Sequence, residues 1–95
     1  MELGELTLAD FEPCVGDVFA IAEPEAVGLV LESATLVAER PGGREPFSLV
    51  FAGPREPLLA QSIQRLEHAG LGALEIFVVP IGRDEAACTY EAIFT

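Results

Sequence analysis

The 95-residue sequence contains no lysine and no tryptophan, and its five cationic side chains are all arginines. Against these stand 16 acidic residues, which give a formal net charge of −11 at pH 7. Proteins that bind nucleic acids or anionic membranes draw much of their affinity from Lys and Arg side chains. The composition therefore predicts that the partner is neither a nucleic acid nor a membrane.

The charge is also unevenly distributed along the chain. Residues 1–39 carry nine acidic side chains and no arginine. Such a segment is typical of a solvated acidic face, and it would also steer the protein toward a basic partner surface.

Long apolar runs are missing as well. No run approaches the roughly 18 residues of a membrane-spanning helix. Residues 1–10 have neither the positive n-region nor the apolar h-region of a signal peptide. We therefore expect a cytoplasmic protein.

Only two cysteines are present, Cys14 and Cys88, and they form no C-x-x-C motif. Without a secretion signal we expect two reduced, partly buried thiols. A Cys14–Cys88 disulfide stays an open alternative, because the two ends of a small closed sheet can lie side by side.

The sequence contains enough apolar residues to form one hydrophobic core. Hydrophobic residues make up 51% of the chain, and the mean hydropathy is +0.41. Surface scaling indicates that a chain of this mass buries roughly 64% of its surface on folding. We expect a single β domain over residues 1–95.

Short apolar segments separated by Gly and Pro residues predict strands. The longest carries a phase change near residues 33–34, which indicates a bulge or a bend between sheet layers. The clearest loop is 40–46, and a hairpin turn is expected at 82–85. The predicted strands cover residues 17–23, 27–39, 47–52, 63–68, 73–80 and 88–95.

A short helix precedes the strands. Thr7 and Asp10 have the spacing of a capping box, and Pro13 and Gly16 end the helix. The fold class is therefore mainly β, with about six antiparallel strands forming a small sandwich or partly closed barrel and one short N-terminal helix that caps it. Residues 63–95 are expected to form a three-strand meander.

Several segments resemble a family of small bacterial proteins known only as a domain of unknown function. They are Pro46-Phe-Ser-Leu-Val-Phe-Ala-Gly-Pro54, Leu66-Glu-His68, Leu71-Gly72, Leu74-Glu-Ile-Phe-Val-Val-Pro-Ile-Gly82 and Tyr90-Glu-Ala-Ile-Phe94, with residues 6–11 and 15–16. The likeness covers nearly the whole chain, and residues 57–62 depart from it. Members of that family are often encoded near proteins resembling phage tail-collar or tail-fibre components. The resemblance implies no activity, cofactor or catalytic residue, and it suggests an accessory role beside a phage-tail-like assembly.

Candidate chemistry centres on His68, the only histidine. An enzyme would use His68 with Glu67 or with a cysteine, but no nucleophile lies in an activated sequence context. We expect His68 instead to hydrogen-bond backbone groups of the turn at residues 69–72. A zinc site from Cys14, His68 and Cys88 matches no zinc motif in its spacing. The sequence therefore predicts no catalytic, metal or cofactor residue.

The sequence leaves three functions open. The favoured one is a non-enzymatic interaction or structural module with a protein partner, acting as a monomer or a homodimer and docking through a strand edge such as 47–52 or 88–95 or through a loop end. The second is a small barrel that binds an apolar ligand. The third is the His68 enzyme. The rings expected to line the ligand barrel are Phe19, Phe51, Phe77 and Phe94.

Overall fold

The computed structural model describes residues 6–22, 26–37, 46–56 and 58–94. The expected loop at 40–46 lies outside these residues except for Pro46. One helix, α1, is followed by a single 3₁₀ turn and six strands, β1 to β6. Their bounds are Leu8–Phe11 for α1, Glu12–Cys14 for the 3₁₀ turn, Val18–Ile21 for β1, Val27–Leu36 for β2, Phe47–Pro54 for β3, Ser62–His68 for β4, Gly72–Arg83 for β5 and Ala87–Phe94 for β6.

The strands form a closed antiparallel barrel in the order β1-β2-β3-β6-β5-β4. The predicted mainly β class with six antiparallel strands and one short helix is confirmed, but the sheet closes completely rather than forming a sandwich or a partly closed barrel. The predicted meander is present as β4, β5 and β6. The barrel closes between β1 and β4, where the described residues give one register pair, Ala20 with Glu67.

Apolar side chains at every second position create the core, as the strand period requires. Phe47, Leu49 and Phe51 of β3 all point inward and are fully buried. On β6 the inward side chains are Cys88, Tyr90, Ala92 and Phe94.

Two irregularities bend the barrel. The register between β2 and β3 shifts between Leu31 and Ser33, which makes Glu32 the extra residue and confirms the expected bulge. A second shift lies between Pro80 and Gly82. Proline has no N–H group to donate to the ladder, and here it lies beside a bulge, a position where proline is tolerated. Pro80 therefore does not end β5, which continues to Arg83. The hairpin turn begins at Asp84 rather than residue 82, and Asp84 Oδ1 accepts the N–H groups of Ala86 and Ala87 at 2.8 Å each.

The helix α1 closes one end of the barrel, as expected from its apolar face. The ring of Phe11 is fully buried, with ring centres 5.5 Å from Phe94, 5.8 Å from Phe47 and 6.5 Å from Phe19. The capping box is present, with the Thr7 N–H donating to Asp10 Oδ2 at 2.7 Å.

Leu59, which precedes β4, belongs to the core, a feature that the sequence did not reveal. It is buried, and its N–H donates to the Tyr90 hydroxyl oxygen at 2.9 Å. Burial, reinforced by the side-chain hydrogen bond with Cys88, raises the pKa of Tyr90. The segment before β4 is thus an extended link that fixes Tyr90 in the core.

Barrel closure also corrects the expected docking edges. Every residue from 47 to 52 is paired with β2 on one side and β6 on the other, so the expectation of a free edge there is wrong. Residues 88–91 are likewise paired on both sides. Among the described residues, no helix has the length and hydropathy required to cross a bilayer.

Candidate functional site

Closure of the barrel brings together three side chains that could carry chemistry. Cys14 lies at the end of the 3₁₀ turn, Asp17 precedes β1, and His68 is the last residue of β4. One ligand-type atom from each lies within 4.8 Å of the others. Cys14 and His68 were candidates from the sequence, but Asp17 was not, because only the pairing of β1 with β4 makes it their neighbour.

The hydrogen bonds of His68 define its tautomer. Its Nδ1 accepts the N–H groups of Gly70 at 3.0 Å and Leu71 at 3.1 Å. Nδ1 therefore carries no proton, and Nε2–H donates to Asp17 Oδ2 at 2.9 Å. The predicted bonding of His68 to the turn is confirmed. Gly72, at φ +78°, provides the left-handed conformation that ends this turn.

The His68 ring is also held by packing. It stacks on Phe19 with ring centres 4.6 Å apart and planes inclined by 26°. Its side chain is only 8% exposed. His68 thus ties the β4–β5 turn to the start of β1 and to the core.

These contacts leave His68 poorly suited to act as a general base. A base needs a nitrogen lone pair directed at its substrate, and here Nδ1 is occupied by two donors while Nε2 carries the proton. Glu67, the other proposed member of the pair, follows the opposite face of β4 because adjacent strand residues alternate. The structure therefore does not bring Glu67 and His68 together as a catalytic pair.

Cys14 is not activated by its neighbours. Burial raises the pKa of the Cys14 thiol, and the negative charges of Asp17 and Asp10 raise it further. Its Sγ lies 3.5 Å from the Asp10 carbonyl oxygen. A nucleophilic cysteine requires the opposite environment, one that lowers the thiol pKa.

The zinc site considered from sequence is also rearranged. Cys88 is buried in the core and is not part of the cluster, in which Asp17 takes its place. A metal on Nε2 of a neutral imidazole would move the ring proton to Nδ1. That proton would face the N–H groups of Gly70 and Leu71, so metal binding requires the turn to open. Both cysteines are free thiols, as expected.

The barrel interior is occupied by its own side chains. Phe19 meets Phe51 edge to face at 5.4 Å, and Phe47 stacks on Phe94 at 4.7 Å. A ligand among these rings would have to separate them. Phe77 was grouped with them in the ligand hypothesis, but it lies on the outer face and is 49% exposed.

The outer face of β4 and β5 carries two large, exposed apolar side chains. Ile63, which is 64% exposed, lies directly opposite Phe77 in the register. Beside Ile63 is a groove of about 430 Å³ between β4 and the end of β1. Among the described residues, those that line it are Ala22, Ile63, Gln64, Arg65 and Glu67. We call Ile63 and Phe77 the apolar pair, and the space beside them the β4 groove.

Acidic side chains accompany the arginine that lines the β4 groove. Arg65 Nε lies 3.9 Å from Glu67 Oε1, and Glu75 lies opposite Arg65 in the register. The two other arginines within the described residues, Arg55 and Arg83, lie within 4.0 Å of Glu56. The acidic excess of the chain therefore extends to this face.

The apolar pair has a signal in the sequence. Residues 73–80 are nearly continuously apolar, a pattern typical of a strand that is partly covered on both faces. The register places Phe77 outward, where it is 49% exposed, so that run also carries a half-covered apolar surface.

Comparison with known proteins identifies a family. Residues 6–94 match the model of a family described as a domain of unknown function, DUF6916. No curated protein and no solved structure matches the chain.

Proposed function

Because the chain belongs to the DUF6916 family, a membership that assigns no chemistry, we propose from its geometry that it is a non-enzymatic module that docks a protein partner on the outer face of β4 and β5. The observation that carries this proposal is the apolar pair beside the β4 groove. Two large side chains stand in contact range across two strands, and each leaves about half or more of its surface exposed.

Burial of the apolar pair would contribute usefully to binding. Complete burial of an Ile or Phe side chain is worth about 1.5–3 kcal/mol. Since roughly half of each side chain is already covered, a partner that buries the rest gains about 1–1.5 kcal/mol per residue. Such a pair fits the centre of a small interface with a polar rim.

The state of the polar cluster supports a binding role over a catalytic one. Cys14, Asp17 and His68 are committed to hydrogen bonds that hold the turn and the barrel closure. The same proposal includes a cytoplasmic location, together with the accessory role beside a phage-tail-like assembly that the resemblance implied.

Co-purification with matched variants tests the proposal. Tagged wild-type chain, Phe77→Asp and Ile81→Asp are expressed in the source cell. Ile81 is 53% exposed on the same strand but lies at the bulge, away from the groove lining. We expect one protein to be recovered in stoichiometric amount with wild type and Ile81→Asp and to be lost with Phe77→Asp. Recovery that is equal in all three, or no stoichiometric partner at all, would refute the proposal.

A further inference from the structure

We infer that the outer face of β1, β2 and β3 is a second docking site, which binds an amphipathic helix of another protein with Lys or Arg on both sides of its apolar stripe. This inference does not rest on the proposed docking face of β4 and β5. In the closed strand order β2 lies three strands from β5 in either direction, so the two faces point to opposite sides of the barrel.

The outward side chains of these three strands are small and uncharged. Within the bounds of the three strands Glu32, at the bulge, is the only charged residue. Antiparallel sheets commonly present polar side chains on the face that points away from the core. We call the five outward residues around the middle of these strands the neutral face. They are Val18, Ala20, Gly28, Val30 and Ala52.

The register makes the neutral face one continuous surface. Val30 lies between Val18 and Ala52, and Ala20 lies opposite Gly28. The exposed fractions of Val18 and Val30 are 56% and 37%. Because Val30 is paired with a neighbouring strand on both sides, a partner reaches it by lying on the sheet and not by adding a strand.

Gly28 keeps the centre of the neutral face low. A Cβ at this position would lie 3.2 Å from Val18 Cγ1, so Val18 takes the space that a side chain would need. Glycine within a strand often marks a place where another backbone approaches closely. The absence of a side chain here therefore suits a partner that packs tightly on the two valines.

The width of the neutral face fits one helix. From β1 to β3 there are two interstrand spacings, which amount to about 9.5 Å. An α-helix with its side chains is about 10–12 Å across. A helix aligned with the strands would cover the neutral face, and its two flanks would lie above β4 and β6.

Acidic side chains stand on both of these flanking strands. Glu67 of β4 lies opposite Ala20, and Glu91 lies on the outward side of β6. The Ser48 hydroxyl donates to Glu91 Oε2 at 2.8 Å and holds this carboxylate in place. The ion pair of Glu67 with Arg65, at 3.9 Å between two exposed side chains, contributes little. Both carboxylates can therefore pair with cations on the flanks of a helix.

Net charge selects between the candidate occupants. β1 and β2 belong to the segment 1–39, which carries nine acidic side chains and no arginine. A second copy of this chain would bring another net charge of −11, and five residues are far fewer than the roughly 20–30 a side of a stable interface. A cationic helix gains long-range attraction and faster association instead.

A synthetic peptide provides a direct probe. In the sequence Ala-Lys-Leu-Lys-Ala-Lys-Leu-Ala-Ala-Leu-Lys-Ala-Lys-Leu-Lys, helical spacing puts leucine on one stripe and lysine on both sides of it. We expect a dissociation constant on the order of 10–100 μM, because the interface is small. In an NMR titration the amide signals of residues 18–20, 28–30 and 52 should shift, while those of Ile63 and Phe77 should not.

Two peptide controls separate charge from helical shape. With Glu in place of Lys we expect binding at least about tenfold weaker. With proline in place of the central alanine the stripe is broken, and we expect a similar loss. Equal binding of either control overturns the inference, as does binding of the Lys peptide that does not weaken as salt is raised.

Protein variants locate the site. Val30→Lys should weaken binding of the Lys peptide about tenfold or more, whereas Ile81→Lys makes the same charge change on β5 and should weaken it less than about threefold. Val18→Lys, at the more exposed position, repeats the test if Val30→Lys does not fold. Equal losses in Val30→Lys and Ile81→Lys would show that only net charge matters, and the inference would be wrong.

The remaining outcomes separate this inference from the proposed function. If the neutral-face amides shift when the protein alone is concentrated, the occupant is a second copy and the inference is wrong. If the peptide shifts Ile63 and Phe77 instead, the second site fails while the docking face of β4 and β5 stands. If the peptide shifts the neutral face but Phe77→Asp leaves co-purification intact, the proposed function fails and the second site stands.

Discussion

Replacing His68 with alanine tests whether this residue is a structural tie rather than a reactive group. The change removes two acceptor bonds to the turn, worth about 1 kcal/mol each, and one bond to a half-exposed carboxylate, worth about 1 kcal/mol. It also removes the stack on Phe19, worth about 0.5–1.5 kcal/mol. Water can satisfy part of the freed turn, and the contributions overlap. We expect a net loss of about 2–4 kcal/mol in the free energy of unfolding.

Urea unfolding followed by circular dichroism measures this loss. Domains of this size have a total stability of about 5–15 kcal/mol, so the variant should still fold. The same loss should lower Tm by roughly 10–25 °C.

Two matched variants separate the contribution of the turn bonds from that of the bond to Asp17. In His68→Asn the amide oxygen can take the place of Nδ1 and accept the N–H groups of Gly70 and Leu71, so about half of the stability should return. Asp17→Asn keeps an oxygen acceptor for Nε2–H and should cost less than about 1 kcal/mol. The reasoning is refuted if His68→Ala unfolds within about 0.5 kcal/mol of wild type, or if His68→Asn is as unstable as His68→Ala.

Three further outcomes follow from the core, a turn and the thiol. A Cβ on Gly53 would lie 2.6 Å from Leu29 Cδ2, so Gly53→Ala should lower the free energy of unfolding in urea by about 1–3 kcal/mol. In the control Gly82→Ala the added Cβ meets nothing within 4 Å, so stability should change by less than about 1 kcal/mol. Equal effects of the two substitutions would contradict the packing around Gly53. The N–H groups of Ala87 and Ala86 lower the pKa of Asp84 below its ordinary value, so these bonds stabilise the fold above the pKa of the unfolded chain and stop doing so as pH falls through the pKa of the folded protein. An NMR titration of Asp84 should show the lowered pKa. Asp84→Asn should make the loss of stability at acid pH less steep. Because burial and acidic neighbours raise the pKa of Cys14, iodoacetamide at pH 7 should label this thiol slowly in the folded protein and rapidly in urea. Peptide mass spectrometry measures the labelling. Rapid labelling of the folded protein would instead indicate an activated thiolate.

Much of the barrel could be predicted because strand periodicity is local information. The alternation in Phe47, Leu49 and Phe51 identified both a strand and its buried face. The spacing of Thr7 and Asp10 identified the helix start, and the bulge at Glu32 showed as a change of phase. Turn chemistry near His68 was also local, so its bonds to the turn were predicted correctly.

The parts that were wrong or missed depend on which strands meet. Nothing in the sequence around 47–52 shows that β2 and β6 cover both of its edges. The same applies to Leu59, which reaches Tyr90 across 31 residues of chain, and to Asp17, which lies 51 residues before His68.

An acidic, mainly β chain with a short capping helix can be recognised from the amino-acid sequence, because composition and hydrophobic period are properties of short segments. Closure of the sheet, the outward position of Phe77 opposite Ile63, and the bond between His68 and Asp17 beside Cys14 appear only in the folded molecule. Closure and register result from long-range backbone pairing, which depends on all the strands together and not on any one segment.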